Sequence, residues 1–175
     1  MKWLGWIAAT LIVAALVHVA SVIALPHLIM ARAMRGIADH GGLNTMIHGK
    51  RPTSASRGVV RPSPDLLYSS CVYDLDAAGG MARVTAHGMP KTYWSVSLFD
   101  AETNNFYVLN DLAAKDGSVE FVIVGKNQDK APPGNVVRTP TRRGLVLFRT
   151  LIDDDAHLAD IDKARRSATC ARLKT

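Results

Sequence analysis

"YWSVSLFDAETNNFYVLND", residues 93–111, sets two aromatic-rich runs around a polar knot. Short runs of aromatic and aliphatic residues bounded by turn formers read as strands. The knot "DAETNN", residues 100–105, has two readings. As a cation loop it offers Asp100, Glu102 and Asn104 at the first, third and fifth positions, with Asp111 at the twelfth. As a turn it offers Asn104 and Asn105, since asparagine tolerates positive φ and closes turns with its own side chain. The sixth position holds Asn105 where a calcium loop needs glycine, the twelfth is Asp instead of Glu, and strands flank it instead of helices. A β-hairpin is therefore expected, and no metal site.

Outward from the hairpin the same texture continues. "LLYSSCVYDL", "ARVTAHG", "VEFVIVGK" and "GLVLFRTLI" read as further strands, with "AAGG" and the loop "QDKAPPGN" as breaks. No long helical pattern separates them. The expectation is a mostly β or α+β domain over residues 65–175, an antiparallel sandwich closed by a C-terminal helix. That helix, "DDDAHLADIDKARR", has acids at its start and bases at its end, both complementing the macrodipole.

The first part of the chain is different. Trp3 to Leu25 is 23 residues without a formal charge, interrupted only by Thr10, His18 and Ser21. That matches the ~20 apolar residues needed to cross a hydrocarbon core, and Trp3 and Trp6 suit the interface at one end. Residues 1–25 are read as a transmembrane anchor. A cleavable signal peptide is the rival, with "VIA" at 22–24 as its cleavage site, but a signal core is usually ~7–15 residues. Pro26 is expected to end the span. A juxtamembrane amphipathic helix over 26–42 follows, carrying Ile29, Met30, Ala33, Met34 and Ile37 at three- and four-residue spacing and ended by Gly41 and Gly42. Residues 43–64, basic and rich in Pro and Gly, read as a linker.

Charge is unevenly spread along a chain of net charge +6. Arg32, Arg35, Lys50, Arg51, Arg57 and Arg61 face only Asp39 in residues 26–61; Lys163, Arg165, Arg166, Arg172 and Lys174 face only Asp162 near the end. Such runs suit anionic headgroups or an acidic partner, and equally an ordinary solvated surface. Nucleic acid is not expected, because the basic runs lack interleaved aromatics. The two cysteines, Cys71 and Cys170, have no metal spacing; they suit one disulfide in an oxidising compartment or two buried thiols. Lys2 against Arg32 and Arg35 leaves the positive-inside comparison nearly tied. No nucleophile elbow, zinc helix, P-loop or dinucleotide fingerprint is present, and no cofactor is indicated.

Three blocks carry a resemblance. "RPSPDLLYSSCVYDL" (61–75) contains Pro62, Asp65, Tyr68, Ser69, Asp74 and Leu75. The hairpin stretch contributes Tyr93, Asp100, Asn104 and Asn105, and "TPTRRGLVLFRTLIDD" (139–154) contributes Arg149. In this order they resemble the family known as domain of unknown function 1254, over about residues 27–170. The sequence departs from it at Ser63 and Leu66, where members commonly have Asn and Thr. The resemblance implies a sandwich-like, often exported domain, and so favours the periplasmic side of a bacterial inner membrane. It also implies a second unknown-function domain, number 1214, commonly fused behind. None follows in this sequence, so a separately encoded partner bearing it is expected. No activity comes with the resemblance.

The functional expectation is thus a membrane-anchored binding or assembly module of the envelope. Its candidate ligand or partner residues are Asp65, Tyr68, Ser69, Tyr93, Trp94, Asp100, Asn104, Asn105, Tyr107 and Arg149. Aromatic platforms rimmed by carboxylates and amides suit a saccharide or a partner's loop, although strand alternation sends neighbours such as Tyr93 and Trp94 to opposite faces. Arg149, flanked by apolar residues, needs a partner if buried, and Asp65 is the candidate. Two alternatives are a polysaccharide-acting enzyme with Asp65 and Asp100 as its carboxylate pair, ~5–9.5 Å apart across a cleft, and a structural subunit of an inner-membrane complex.

Overall fold

A computed structural model describes residues 2–57, 61–128 and 131–173. Lys174 of the terminal basic run, and residues 58–60 of the expected linker, lie outside the described residues.

One helix, α1, runs without a break from Lys2 to Gly41 and passes through Pro26. The expected anchor and juxtamembrane helix are thus parts of one continuous helix. Proline removes one intrahelical donor, yet the loss is tolerated in apolar spans where the rest of the ladder is intact. The His27 ring also reaches back to the Ile23 carbonyl at 3.0 Å. The expected stop holds: Gly42 takes φ +82° and its N–H donates to the Ala38 carbonyl at 2.7 Å. The apolar part of α1 is long enough to span a membrane.

Among the described residues nine strands follow: β1 (Ile47–His48), β2 (Leu66–Asp74), β3 (Met81–Ala86), β4 (Trp94–Asp100), β5 (Asn105–Asn110), β6 (Val119–Gly125), β7 (Val136–Thr139), β8 (Arg143–Leu151) and β9 (Thr169–Arg172). A short helix, α2 (Leu158–Arg165), lies between β8 and β9. The strands form two sheets, ordered β1-β2-β8-β4-β5 and β7-β6-β3-β9. All pairings are antiparallel except β6 with β7, which is parallel. The architecture is therefore the mostly β, α+β arrangement the strand pattern predicts. β7 and β9 were not legible as strands; each is four residues, too short to show a period.

The core lies between the sheets. Cys71, Tyr73, Trp94, Val96, Leu98, Val146 and Phe148 from the first sheet meet Val84, Phe121, Ile123, Val137 and Cys170 from the second. Two side-chain links cross it. Cys71 of β2 and Cys170 of β9 form a disulfide. The Tyr73 hydroxyl meets Thr139 Oγ1 of β7 at 2.7 Å, and burial pushes its phenol up to about 12.

The 43–64 segment is more than a linker. Asn44 is 5% exposed and bonds Asp74 reciprocally: its amide donates to the Asp74 carbonyl and its carbonyl accepts from the Asp74 N–H, both at 3.0 Å. β1 then adds to the edge of β2. The sequence hid this because polar, Pro-rich texture reports loop conformation and says nothing of what the loop is tied to.

Candidate functional site

Strand alternation divides the first sheet into two faces. One carries the core residues above. The other, the outer face, carries Tyr68, Ser70 and Val72 of β2, Leu145, Leu147 and Arg149 of β8, Ser95, Ser97 and Phe99 of β4, and Val108 and Asn110 of β5. Register aligns them into rows. Tyr68, Arg149, Ser95 and Asn110 make one, and Ser70, Leu147, Ser97 and Val108 the next. α1 crosses the far end of this face. His27 reaches Glu102 of the β4–β5 turn at 3.5 Å, Gly41 abuts Ile47 of β1, and Met30 and Ala33 are buried.

The Arg149 row is under-bonded. Five buried side-chain atoms among the described residues have no hydrogen-bond partner: Ser95 Oγ, Ser97 Oγ, Arg149 Nε, Thr150 Oγ1 and Asp111 Oδ1. Three of them belong to neighbouring residues of this one face. Buried polar groups are ordinarily paired, so a cluster of orphans needs an explanation. Ser95 and Ser97 are each 1% exposed, while Arg149 is half-buried. The expected Asp65–Arg149 pair is absent: none of the ion pairs among the described residues involves Arg149, and Asp65 is exposed ahead of β2. β8 places Arg149 on the outer face beside Tyr68, and the Asp65 backbone is spent on the Ile152 N–H.

The other expected residues fall into separate groups. Tyr93 is 44% exposed, whereas Trp94, next to it, is 1% exposed and belongs to the core. Tyr107 also turns inward, its ring 5.3 Å from Phe121. Asp100 is 3% exposed and consumed by its own turn: its carboxylate accepts from the N–H groups of Glu102 (2.8 Å) and Asn104 (2.9 Å) and from the Asn104 amide (3.0 Å). Asn104 and Asn105 are exposed on the hairpin. "DAETNN" is thus a self-closed turn, as the hairpin reading predicts, and no metal-binding group of His, Cys, Asp or Glu occurs among the described residues. Tyr68, Tyr93 and Arg149 are brought toward one end of the outer face; Asp100, Asn104 and Asn105 sit at the other.

Asp65 and Asp100 cannot act as a carboxylate pair. Asp65 is level with Ile152 and Asp100 with Gly144. That run of β8 spans about 26 Å at about 3.3 Å per residue. The polysaccharide-acting reading built on this pair is overturned.

Ser69 belongs to a second polar centre that sequence reasoning missed. Arg165 of α2 is 1% exposed. Its Nε donates to Asp162 (2.6 Å), Nη1 to the Tyr68 carbonyl (2.9 Å) and Ser69 Oγ (3.1 Å), and Nη2 to the Gly49 carbonyl (2.7 Å) and Asp162. Ser69 Oγ also meets His48 Nδ1 at 2.9 Å. Burial lowers the Arg165 pKa against the opposing pull of Asp162. Burial also lowers that of His48, with Arg165 and Arg166 adding to it. For Asp162 burial works upward but is outweighed by hydrogen bonds from Arg166 and Arg165, so its pKa is lowered. Every nitrogen of this guanidinium is satisfied, which marks it as structural. The contrast with Arg149 is what singles out the outer face.

The fold and its site define a disulfide-linked, two-sheet domain on a long apolar helix, with an under-bonded arginine on its open sheet face. Residues 43–172 match the family model described as "Protein of unknown function (DUF1254)", and the chain belongs to that family. Among solved structures it is similar to the VPA0106 protein from Vibrio parahaemolyticus (TM-score 0.60, 13% identity, covering 86% of this chain and 38% of that one). It is also similar to a putative uncharacterized protein from Burkholderia cenocepacia (TM-score 0.50, 20% identity, covering 82% and 40%). At these identities the likeness shows the fold, and the chain spans about two fifths of the length of those structures. No curated protein matches it.

Proposed function

We propose that this protein is a binding module of the bacterial envelope, held at the inner membrane by α1 with its domain in the periplasm, and that the outer face around Arg149 is its binding surface. One observation carries the reading: the orphaned Ser95, Ser97 and Arg149 groups sit side by side on a face whose neighbours Tyr68 and Tyr93 are partly exposed. Buried donors left unpaired cost about 1–3 kcal/mol each, a cost a bound group removes. The Cys71–Cys170 bond supports an oxidising compartment. A saccharide, or a separately encoded protein carrying domain of unknown function 1214, is the expected occupant.

The test is recovery of the tagged protein from membranes in mild detergent, with native mass spectrometry of what accompanies it. A bound species that is lost in Arg149→Gln and retained in Asp100→Ala is expected. Recovery of the protein alone, from cells and from envelope extracts added back, would refute the reading.

A further inference from the structure

Of the orphaned groups, one is bound to a single chemistry. Arg149 Nε–H can only donate, whereas the serine hydroxyls can donate or accept. Among the described residues none of the three has a hydrogen-bond partner. Asp111, the acid that follows Asn110 of the same row, forms no ion pair with Arg149. The glutamate nearest the face, Glu102, is at its other end and faces His27. Arg149 is therefore a donor that forms no ion pair among the described residues.

Access is graded. Nε of Arg149 and the two hydroxyls are sealed from solvent, but the residue as a whole is half-buried, so the tip of the guanidinium is the part a ligand meets. Ser95 lies directly opposite Arg149 across the β4–β8 ladder, and Ser97 opposite Leu147 one row on. Ser95 and Ser97 thus lie between Leu147 and Arg149 on one side and Val108 and Asn110 on the other. Tyr93, two residues before Ser95, is 44% exposed at the same end of the face.

We infer that the ligand of this face is acidic: Arg149 receives an oxyanion, a carboxylate or a phosphate ester, of a molecule lying along β4, through the exposed tip of its guanidinium. This rests on the binding role proposed above and adds the ligand's charge. A guanidinium grips such groups through two parallel hydrogen bonds, which a lysine cannot reproduce. The tyrosine ring beside it suits the apolar face of a sugar, so an acidic saccharide is one source of the group and a phosphorylated headgroup the other.

The experiment follows the Nε–Hε resonance of Arg149 in the full chain in nonionic micelles, assigned through Arg149→Lys. Oligogalacturonate, glycerol 3-phosphate and a neutral galactose oligomer are titrated at matched ionic strength. A saturable shift with either anion, with affinity at least about tenfold weaker in Arg149→Gln, is expected; which anion acts identifies the source. If the neutral oligomer moves the amides of Ser95, Ser97 and Leu147 while Arg149 stays still, the acidic ligand is refuted and the binding face stands. If no probe moves Arg149, the oxyanion is refuted and the co-purification experiment decides the face by itself.

Discussion

Replacing Arg165 by alanine should nearly unfold the domain, although Arg165 lies in a short helix that looks peripheral in sequence. The guanidinium is 1% exposed and joins three parts of the chain: Gly49 beside β1, Tyr68 and Ser69 of β2, and Asp162 of α2. Truncation deletes these bonds and leaves the Gly49 carbonyl short of a donor, at about 1–3 kcal/mol for a group left buried and unpaired, while the Tyr68 carbonyl keeps the Gly49 N–H at 3.0 Å and Ser69 Oγ keeps His48 at 2.9 Å. Breaking a buried charge pair by removing one partner costs about 3–5 kcal/mol in all. We take about 4 kcal/mol as the expectation, since Asp162 is partly solvated and recovers water while Arg166 still binds it at 2.8 Å. For a domain of this size that corresponds to a fall in Tm of about 10–20 °C. The assay is urea or thermal unfolding of the full chain in micelles with the disulfide intact, followed by near-UV circular dichroism. Arg165→Met separates charge from volume; it should recover part of the loss by filling the buried space that the Arg165 stem occupies. A loss below about 1 kcal/mol in Arg165→Ala would refute the reasoning, because a solvated arginine gives that value.

Four further outcomes are expected. Reduction of Cys71–Cys170, which closes a 99-residue separation, should cost about 4–5 kcal/mol by loop entropy, measured as the shift in urea midpoint with and without reductant. Gly144→Ala should lose at least about 2 kcal/mol by overpacking, because an added Cβ would collide with the Phe99 carbonyl and the Tyr73 hydroxyl; the measurement is the Tm. Asp100→Ala should destabilise by about 2 kcal/mol through loss of its turn bonds, and calcium should change the Tm of neither wild type nor variant. His48 has a folded pKa below 6.5, so the unfolded chain takes up its proton first. Its contribution to stability is full above about pH 6.5 and declines as pH falls from there toward the folded pKa, a slope that His48→Gln should flatten in pH-dependent unfolding curves.

Much of this was legible because it depends on local chemistry. "DAETNN" closes on Asp100 as its turn residues require, and the strand stretch "YWSVSLF" sends Trp94, Val96 and Leu98 inward and the serines outward, as a period of two dictates. Gly42 ends α1 where a left-handed residue was needed. What the sequence could not show is which segments meet. Asp65 and Arg149 are 84 positions apart, and only the register of β2 on β8 reveals that Arg149 faces Tyr68 and that Asp65 falls short of it. The Arg165 centre draws on Gly49, Ser69 and Asp162, three places with no common motif. Ser95 and Ser97 were readable as the polar side of a strand; that both would be buried is a property of the assembled domain.

The unbroken course of α1 through Pro26 has a rotational consequence. A continuous helix whose end packs on the domain behaves as a shaft with the domain fixed to it, so the direction in which the Arg149 face points, relative to the apolar part of α1, is a phase angle set by residue count. Adding one residue between Pro26 and Met30 would turn the domain by about 100° about that axis while raising it only about 1.5 Å. Length here is compass bearing more than reach.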